Sequence, residues 1–154
     1  MLRAQNKQAK HSATGLRFGI AAAAYNTELA DALLENCVAT LQAAGSRDLR
    51  IIRVPGSFEI CAAATWLART GKCDCVIGLG ILLQGETSHA QHIADAVAHG
   101  LTNITIRTGV PTVFGLVTAN NLRQAQTRCL GKQHNRGREA ATTAIQMARL
   151  WKNL

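Results

Sequence analysis

The amino-acid sequence predicts an α/β protein, a three-layer α/β/α sandwich with a four-stranded parallel sheet. Short runs of strand-forming residues alternate with segments of helical periodicity, and this alternation is typical of parallel sheets. The chain has 154 residues, of which 47% are apolar and only two are proline, which is enough for one core and short for two. Right-handed crossovers bury helices on both faces of such a sheet. We therefore expect one domain at residues 16–154, preceded by a basic N-terminal tail at residues 1–15.

Four apolar runs are expected to form the strands. They lie at residues 18–24, 49–54, 73–83 and 111–117. Each run is followed by apolar residues three and four positions apart, as on one face of a helix. The last two helices are expected at residues 121–130 and 138–150, joined by the segment GKQHNRG.

Three helix starts carry residues that can cap free backbone N–H groups. Asn26 and Ser57 are expected to cap the first and second helices. Ser88 and Gln91 fit the S-x-x-Q capping box, in which the serine side chain binds the backbone of the first turn. This pattern predicts that the third helix begins at His89.

The net charge is +8 and its excess lies at the two ends of the chain. Residues 1–17 contain four basic side chains and no acidic one, whereas residues 122–154 contain seven basic and one acidic. Such a distribution can attract nucleic acid or a phosphorylated small molecule. Aromatic residues make up only 4% of the chain, and no basic stripe is interleaved with them, which disfavours binding of single-stranded nucleic acid.

Neither a membrane segment nor an export signal is predicted. No apolar stretch reaches the roughly 18–20 residues that span a bilayer, and the start of the chain lacks the apolar centre of a secretory signal. The five cysteines are odd in number and lie mostly within apolar segments, so we expect free thiols. These observations favour a cytoplasmic protein.

The carboxyl ends of the strands are the expected ligand site, because open parallel sheets bind ligands there. Four chemically unusual segments are expected at this edge: Tyr25–Asn26, Gly56–Glu59, Gln84–His89 and the fourth strand with Phe114. In the third segment, backbone N–H groups of Gly85, Glu86 and Thr87 can bind an anion, assisted by the helix dipole. We predict that this anion is a phosphate.

His89 is the candidate general acid or base of the site. Relative to the apolar stripe of the third helix, it is expected to point toward the strand ends. His92 and His99 fall on a different side of that helix, near Asp95. A hydrogen-bonded structural histidine is the alternative role for His89.

Spacing disfavours three other chemistries. Cys73 and Cys75 lie at the opposite end of a strand from the histidines, so no metal site is expected. The segment GETSHAQ lacks the G-x-S-x-G frame of a serine nucleophile. The segment GLGILLQG lacks the G-x-G-x-x-G spacing of a dinucleotide site.

Five segments resemble, in order and spacing, the sequence blocks of the lumazine synthase family (6,7-dimethyl-8-ribityllumazine synthase). They are VPGSFEI, GETSH, GVPTVFGLVT, QAQTRCLGKQHNRGREAA and AIQMA. Each is weak alone, but together they cover roughly residues 18–148 without a large gap. The resemblance implies a flavodoxin-like sheet in the strand order 2-1-3-4 and the penultimate step of riboflavin biosynthesis.

This resemblance implies a transferase that condenses 5-amino-6-ribitylamino-uracil with 3,4-dihydroxy-2-butanone 4-phosphate, with loss of phosphate and water and without cofactor or metal. The implied substrate-binding residues are Tyr25, Ser57, Phe58, Glu59, Ile81, Leu82, Leu83, Gly85, Glu86, Thr87, Phe114 and Arg136. Tyr25 would stack on the pyrimidine ring. The two implied catalytic residues are His89, which would transfer protons, and Arg128, which would be the counter-charge of the phosphate. Phe114 and Arg128 would come from a neighbouring subunit, which requires an oligomer.

The resemblance further implies a homopentamer, a possible icosahedral shell of sixty subunits, and riboflavin synthase as a candidate partner. Five residues depart from those common in the family. Tyr25 stands where Phe or Trp is usual, Gln84 where Arg or Lys is frequent, and Ala90 where an aromatic residue is common. Arg136 stands where Lys is common, and His134 where Gly is typical. Two alternatives therefore stay open: a binding or shell-forming paralogue without catalysis, and a basic protein associated with nucleic acid.

Overall fold

The computed structural model describes residues 12–154, so most of the predicted tail, residues 1–11, lies outside the described part of the chain. The described residues form four strands and five α-helices. In chain order these are β1 (Arg17–Ala23), α1 (Thr27–Ala43), β2 (Asp48–Val54), α2 (Ile60–Arg69), β3 (Cys75–Leu83), α3 (His89–Thr108), β4 (Thr112–Ala119), α4 (Leu122–Leu130) and α5 (Arg136–Lys152). A 3₁₀ turn, Ser57–Glu59, precedes α2. None of the helices in this part of the chain is long and apolar enough to span a bilayer.

All four strands are parallel and lie in the order β2-β1-β3-β4. The predicted fold class and strand order are thus confirmed. From β1 the chain moves outward to β2 and then crosses back to β3, so the strand order reverses between β1 and β3. A crevice opens at the carboxyl ends of the strands at such a point.

Helices cover both faces of the sheet, which makes the three predicted layers. In β1, Ile20 and Ala22 face the core under α1, α4 and α5, whereas Ala21 and Ala23 face the core under α2 and α3. This alternation follows from the two-residue period of a strand. β1 and β3 are almost entirely buried because they lie at the centre of the sheet.

Two glycines of β3 allow the 3₁₀ turn and the start of α2 to lie close to the sheet. A Cβ atom at Gly78 would lie 2.9 Å from Ile60 Cγ2. A Cβ atom at Gly80 would collide with Ser57 Oγ and lie 3.1 Å from Ile60 Cδ1. The absence of side chains at these two positions therefore seats Ser57 beside β3.

The first helix begins beside Asn26, but the predicted side-chain cap is wrong. Asn26 adopts the left-handed conformation, with φ 61°, and its side chain makes no capping hydrogen bond. Asparagine tolerates this conformation better than most residues. Instead, Thr27 Oγ1 donates to the backbone oxygen of Ala24 at 3.1 Å.

The predicted cap at Ser57 is also wrong, because Ser57 lies in the 3₁₀ turn before α2 and no described side chain caps α2. Glu59 Oε2 accepts a hydrogen bond from the backbone N–H of Gly56 at 3.0 Å. The side chain of Ser57 is instead buried against Gly80.

The third helix begins at His89 as predicted, yet the capping box is wrong. The side chain of Ser88 makes no capping bond, and its Oγ lies 2.9 Å from Nε2 of His92. Gln91 Nε2 donates to Asp95 Oδ1 at 2.8 Å. Partners four residues apart on the helix surface thus replace the backbone partners of the capping box.

Helix α5 begins at Arg136, two residues before the predicted start at 138, because Asn135 caps it. Asn135 Oδ1 accepts from the backbone N–H of Arg138 at 3.1 Å. Its Nδ2 donates to the backbone oxygens of Cys129 and Gly131 at 3.0 and 3.1 Å. This buried side chain joins the end of α4 to the start of α5.

The end of α5 contacts residues 12–15, at the start of the described part of the chain. Ala13 is fully buried. The backbone oxygens of Ser12 and Gly15 accept hydrogen bonds from Arg149 and Lys152, respectively. The two ends of the described chain therefore lie next to each other.

Asp74 is a buried carboxylate next to these contacts, at the amino end of β3. Its Oδ1 lies 3.0 Å from Arg17 Nη2 and its Oδ2 lies 3.5 Å from Lys152 Nζ. Burial alone would raise the pKa of Asp74, but hydrogen bonds from Arg17 and the charges of Arg17 and Lys152 outweigh it, and the pKa is lowered. The ion cluster ties β1, β3 and α5 together.

The five cysteines are free thiols, as expected from their number and setting. Burial raises the pKa of Cys37 to about 12. It also raises the pKa of Cys129 to about 11, although the Arg128 charge partly opposes it. These thiols therefore act as small core residues at neutral pH.

Candidate active site

A cavity of about 830 Å³ opens at the carboxyl ends of the strands. Four segments line it: the turn after β1, the 3₁₀ turn after β2, the end of β3 and the first turn of α3. The lining residues are Tyr25, Asn26, Gly56, Ser57, Phe58, Glu59, Ile81, Leu82, Leu83, His89, Ala90, His92 and Ile93. Cavities of this size hold small organic ligands.

Two aromatic rings are left unusually exposed in the lining. Tyr25 is 72% exposed and Phe58 is 65% exposed. The left-handed turn at Asn26 ends β1 and places Tyr25 there, while the 3₁₀ turn places Phe58. Exposed rings at the edge of a cavity offer flat apolar surface to a planar ligand.

The end of β3 supplies the apolar wall of the cavity. Ile81 belongs to the core under α1, α4 and α5, whereas Leu82 belongs to the core under α2 and α3. Leu83 packs beside the same core as Ile81. Because successive side chains point to opposite faces, a ligand at this strand end meets main-chain N–H and C=O groups as well as carbon.

Ser57 and Glu59 provide polar groups opposite β3. Ser57 is buried, and its position is fixed by the close approach to Gly80. Glu59 is exposed, and its Oε2 is held by the Gly56 N–H. That hydrogen bond restrains the carboxylate within the lining.

Two histidines from the first turn of α3 line the cavity. His89 does so as predicted from its place at the start of the helix. His92 also lines it, so the prediction that His92 lies on a different side of the helix from His89 is wrong. Residues three apart in a helix are neighbours on its surface. The spacing of His89 and His92 in the sequence is therefore the signal from which their shared position in the cavity could have been predicted.

The predicted phosphate loop lies beside the cavity without lining it. Gly85, Glu86 and Thr87 are all exposed and immediately precede α3. A Cβ atom at Gly85 would meet nothing within 4 Å. An anion could therefore approach the backbone of this loop and the amino end of the helix from solvent.

Phe114, Arg128 and Arg136 form a separate group, away from the cavity of the same chain. Arg136 Nη2 donates to the backbone oxygen of Phe114 at 2.6 Å. Glu139 Oε2 accepts from Arg128 Nη2 at 3.0 Å and lies 3.5 Å from Arg136 Nη1. One carboxylate therefore holds both guanidinium groups in fixed positions.

The expectation that Phe114 lies at the carboxyl edge of the sheet is wrong. Phe114 is the third residue of β4 and pairs with Gly78 in the middle of β3. The first residue of β4, Thr112, pairs with Val76 near the start of β3. β4 then extends to Ala119, two residues beyond the predicted end, so Phe114 lies well before the end of its strand.

The family model described as 6,7-dimethyl-8-ribityllumazine synthase matches residues 15–152 of the chain. The 6,7-dimethyl-8-ribityllumazine synthase of Aquifex aeolicus is 44% identical over 149 residues, which are 96% of this chain and 97% of that protein. The protein of the same name from Cytophaga hutchinsonii is 42% identical over 132 residues, 84% of this chain and 83% of the relative. That of Phocaeicola vulgatus is 34% identical over 138 residues, 88% and 82% of the two chains.

Proposed function

The chain belongs to the 6,7-dimethyl-8-ribityllumazine synthase family, whose members are transferases of riboflavin biosynthesis, and from this membership we propose its substrates and mechanism. The proposed reaction of this protein is the condensation of 5-amino-6-ribitylamino-uracil with 3,4-dihydroxy-2-butanone 4-phosphate, with release of phosphate and water. The observation that carries the proposal is the cavity itself, in which two exposed rings, a restrained carboxylate and two imidazoles surround a space of about 830 Å³.

The pyrimidine occupies the part of the cavity between Tyr25 and the end of β3. A planar, polar ring gains from stacking on an aromatic face and from hydrogen bonds to main-chain groups of a strand end. Ser57 and Glu59, with Phe58 beside them, bind the ribityl chain, whose hydroxyls need hydrogen-bond partners of both kinds. The restrained Glu59 carboxylate supports this assignment.

The butanone phosphate binds with its phosphate at the loop Gly85–Thr87. A dianion is stabilised there by backbone N–H groups and by the positive end of α3. Its carbon atoms then lie toward His89, the first residue of that helix. The placement brings the phosphate and a proton-transfer group to the same helix start.

The reaction needs no strong chemical activation from the protein. The 5-amino group attacks the ketone to form an imine, phosphate leaves, and the second amine closes the ring. Holding the two substrates together removes the entropy cost of their encounter, which can lower the barrier by roughly 7–11 kcal/mol in well-oriented systems. His89 then moves protons between the substrates and solvent.

The active protein is an oligomer in which a neighbouring subunit completes each site. Arg128, the proposed phosphate counter-charge, is held by Glu139 in a group that does not line the cavity of its own chain. Phe114 belongs to the same group through Arg136. A homopentamer satisfies this requirement, and light scattering on the purified protein tests it, since a monomer would contradict the shared site.

An absorbance assay tests the proposed reaction directly. The purified protein is mixed with both substrates, and lumazine formation is followed against the uncatalysed reaction. We expect a rate well above background that Arg128→Ala abolishes or strongly reduces. Pyrimidine binding without any acceleration would show instead that the chain is a binding paralogue that has lost catalysis.

The same preparation decides the assembly and partner predictions. Light scattering separates particles of sixty subunits from pentamers, because their masses differ many-fold. Co-elution of riboflavin synthase with such particles, and not with pentamers, is expected after co-expression of the two proteins if the shell encloses that partner.

A further inference from the structure

A hydrogen bond between side chains fixes the second histidine of the cavity. Ser88 Oγ lies 2.9 Å from His92 Nε2. Side chains of a helix lean toward its amino end, so residue 92 reaches back to residue 88 across the first turn. The imidazole of His92 therefore lies over the helix start, on the side of the cavity that holds His89.

This use of Ser88 differs from the usual role of a serine at its position. A serine before a helix commonly binds a backbone N–H of the first turn, but Ser88 makes no such bond. Its hydroxyl group is directed to a side chain that lines the cavity. An imidazole has two ring nitrogens, and the bond to Ser88 occupies Nε2, so Nδ1 is the atom that can exchange a proton with a ligand.

The groups around His92 are compatible with proton exchange. His89 and Glu59 line the same cavity. Asp95, the acidic residue nearest to His92 in sequence, is engaged by Gln91 at 2.8 Å. His92 is exposed to the cavity and to solvent, so protons can reach it.

The proposed reaction contains proton transfers at two neighbouring carbon atoms. Loss of phosphate from the imine removes a proton from C3 of the four-carbon unit and breaks the C4–O bond, whose electron pair leaves with the phosphate. The resulting enol takes up a proton at C4 and releases one from its hydroxyl group, which leaves a methyl ketone. The site thus needs a base that reaches C3 and an acid that reaches the adjacent C4.

We propose that His92, oriented by Ser88, is a second proton-transfer residue of this site and acts together with His89. One imidazole accepts the C3 proton while the other delivers a proton to C4. Ser88 is a positioning residue, because it acts through His92. This inference rests on the proposed lumazine synthase reaction.

The test compares steady-state kinetics of His92→Ala with those of His99→Ala. His99 lies on the same helix, is also exposed and does not line the cavity, so it controls for the loss of a histidine from α3. We expect His92→Ala to lower kcat by roughly 10²-fold, the lower end of what a positioned proton-transfer group contributes, with little change in either KM. His99→Ala should match the wild-type protein.

Two further variants separate proton transfer from structure. His92→Gln keeps a side chain that can bond to Ser88 but cannot transfer protons, so its kcat should fall as in His92→Ala. Ser88→Ala should lower kcat by less, since the imidazole remains but is no longer held. Added imidazole should restore part of the activity of His92→Ala if the variant has lost only a proton-transfer group. It would restore no activity to a misfolded variant, and circular dichroism would reveal misfolding.

Three results would each overturn the inference. They are a kcat of His92→Ala equal to that of His99→Ala, a loss that imidazole does not restore, and a His92→Gln variant with wild-type kcat. A wild-type protein that does not accelerate lumazine formation would overturn the proposed function itself. The two failures are thus distinguishable in one set of assays.

Discussion

Replacing Gly80 by alanine tests whether the close approach of the 3₁₀ turn to β3 builds the cavity. The new Cβ atom would collide with Ser57 Oγ, lie 3.1 Å from Ile60 Cδ1 and lie 3.4 Å from Ala23 Cβ. Ile60 is fully buried and cannot withdraw into solvent. Overpacking of this kind costs about 1–3 kcal/mol in unfolding free energy. We also expect weaker pyrimidine binding, because Ser57 must leave its position.

The measurement is urea unfolding at one fixed protein concentration, since oligomer stability depends on concentration. With slopes of about 1–3 kcal/mol per molar urea, the midpoint of Gly80→Ala should fall by roughly 1 M. Gly85→Ala is the matched control, because its Cβ atom would meet nothing within 4 Å and its stability should change by less than about 0.5 kcal/mol. Equal midpoints for the two variants would refute the reasoning.

Three further predictions address catalysis and acid stability. His89→Ala should lower kcat by roughly 10²-fold while pyrimidine binding, measured by calorimetry, is retained; a rate whose pH dependence is unchanged would argue against proton transfer by His89. Arg128→Ala should raise KM for the butanone phosphate far more than KM for the pyrimidine, and equal increases would argue against a phosphate contact. Because the pKa of Asp74 is lowered in the folded protein, its carboxylate adds stability above the unfolded pKa of about 3.9 and loses it as pH falls through the folded value. Asp74→Asn should therefore show a weaker loss of stability in acid than the wild-type protein, and identical acid unfolding curves would contradict the ion cluster with Arg17.

The sheet and its helices could be predicted from sequence because their signals are local. Strand runs and helical periodicity are visible within one element, and the observed strands depart from the predicted ranges by no more than two residues at either end. The helix caps were harder to predict. Ser88 and Ser57 carry the right chemistry for a cap, but the hydroxyl group of Ser88 bonds to His92 and the side chain of Ser57 is buried beside Gly80, and the local pattern reveals neither.

The cavity could be predicted in part, because its segments follow strands. Tyr25, Glu59 and His89 lie there for that reason. The position of Phe114 could not be predicted, since it depends on where β4 starts against β3. The link from Arg128 to Glu139 could not be predicted either, because it depends on how α4 and α5 lie across each other.

The contacts of Ser12 and Gly15 with the end of α5 have a practical consequence for engineering the chain. Both ends of the described chain meet at the amino-terminal edge of the sheet, where Asp74 lies, and the cavity opens at the opposite edge. Adjacent termini favour circular permutation, and exposed loops are the sites where new ends are tolerated. A short linker from Leu154 to Ser12 would thus close the chain at the edge of the sheet that lies opposite the substrate entrance.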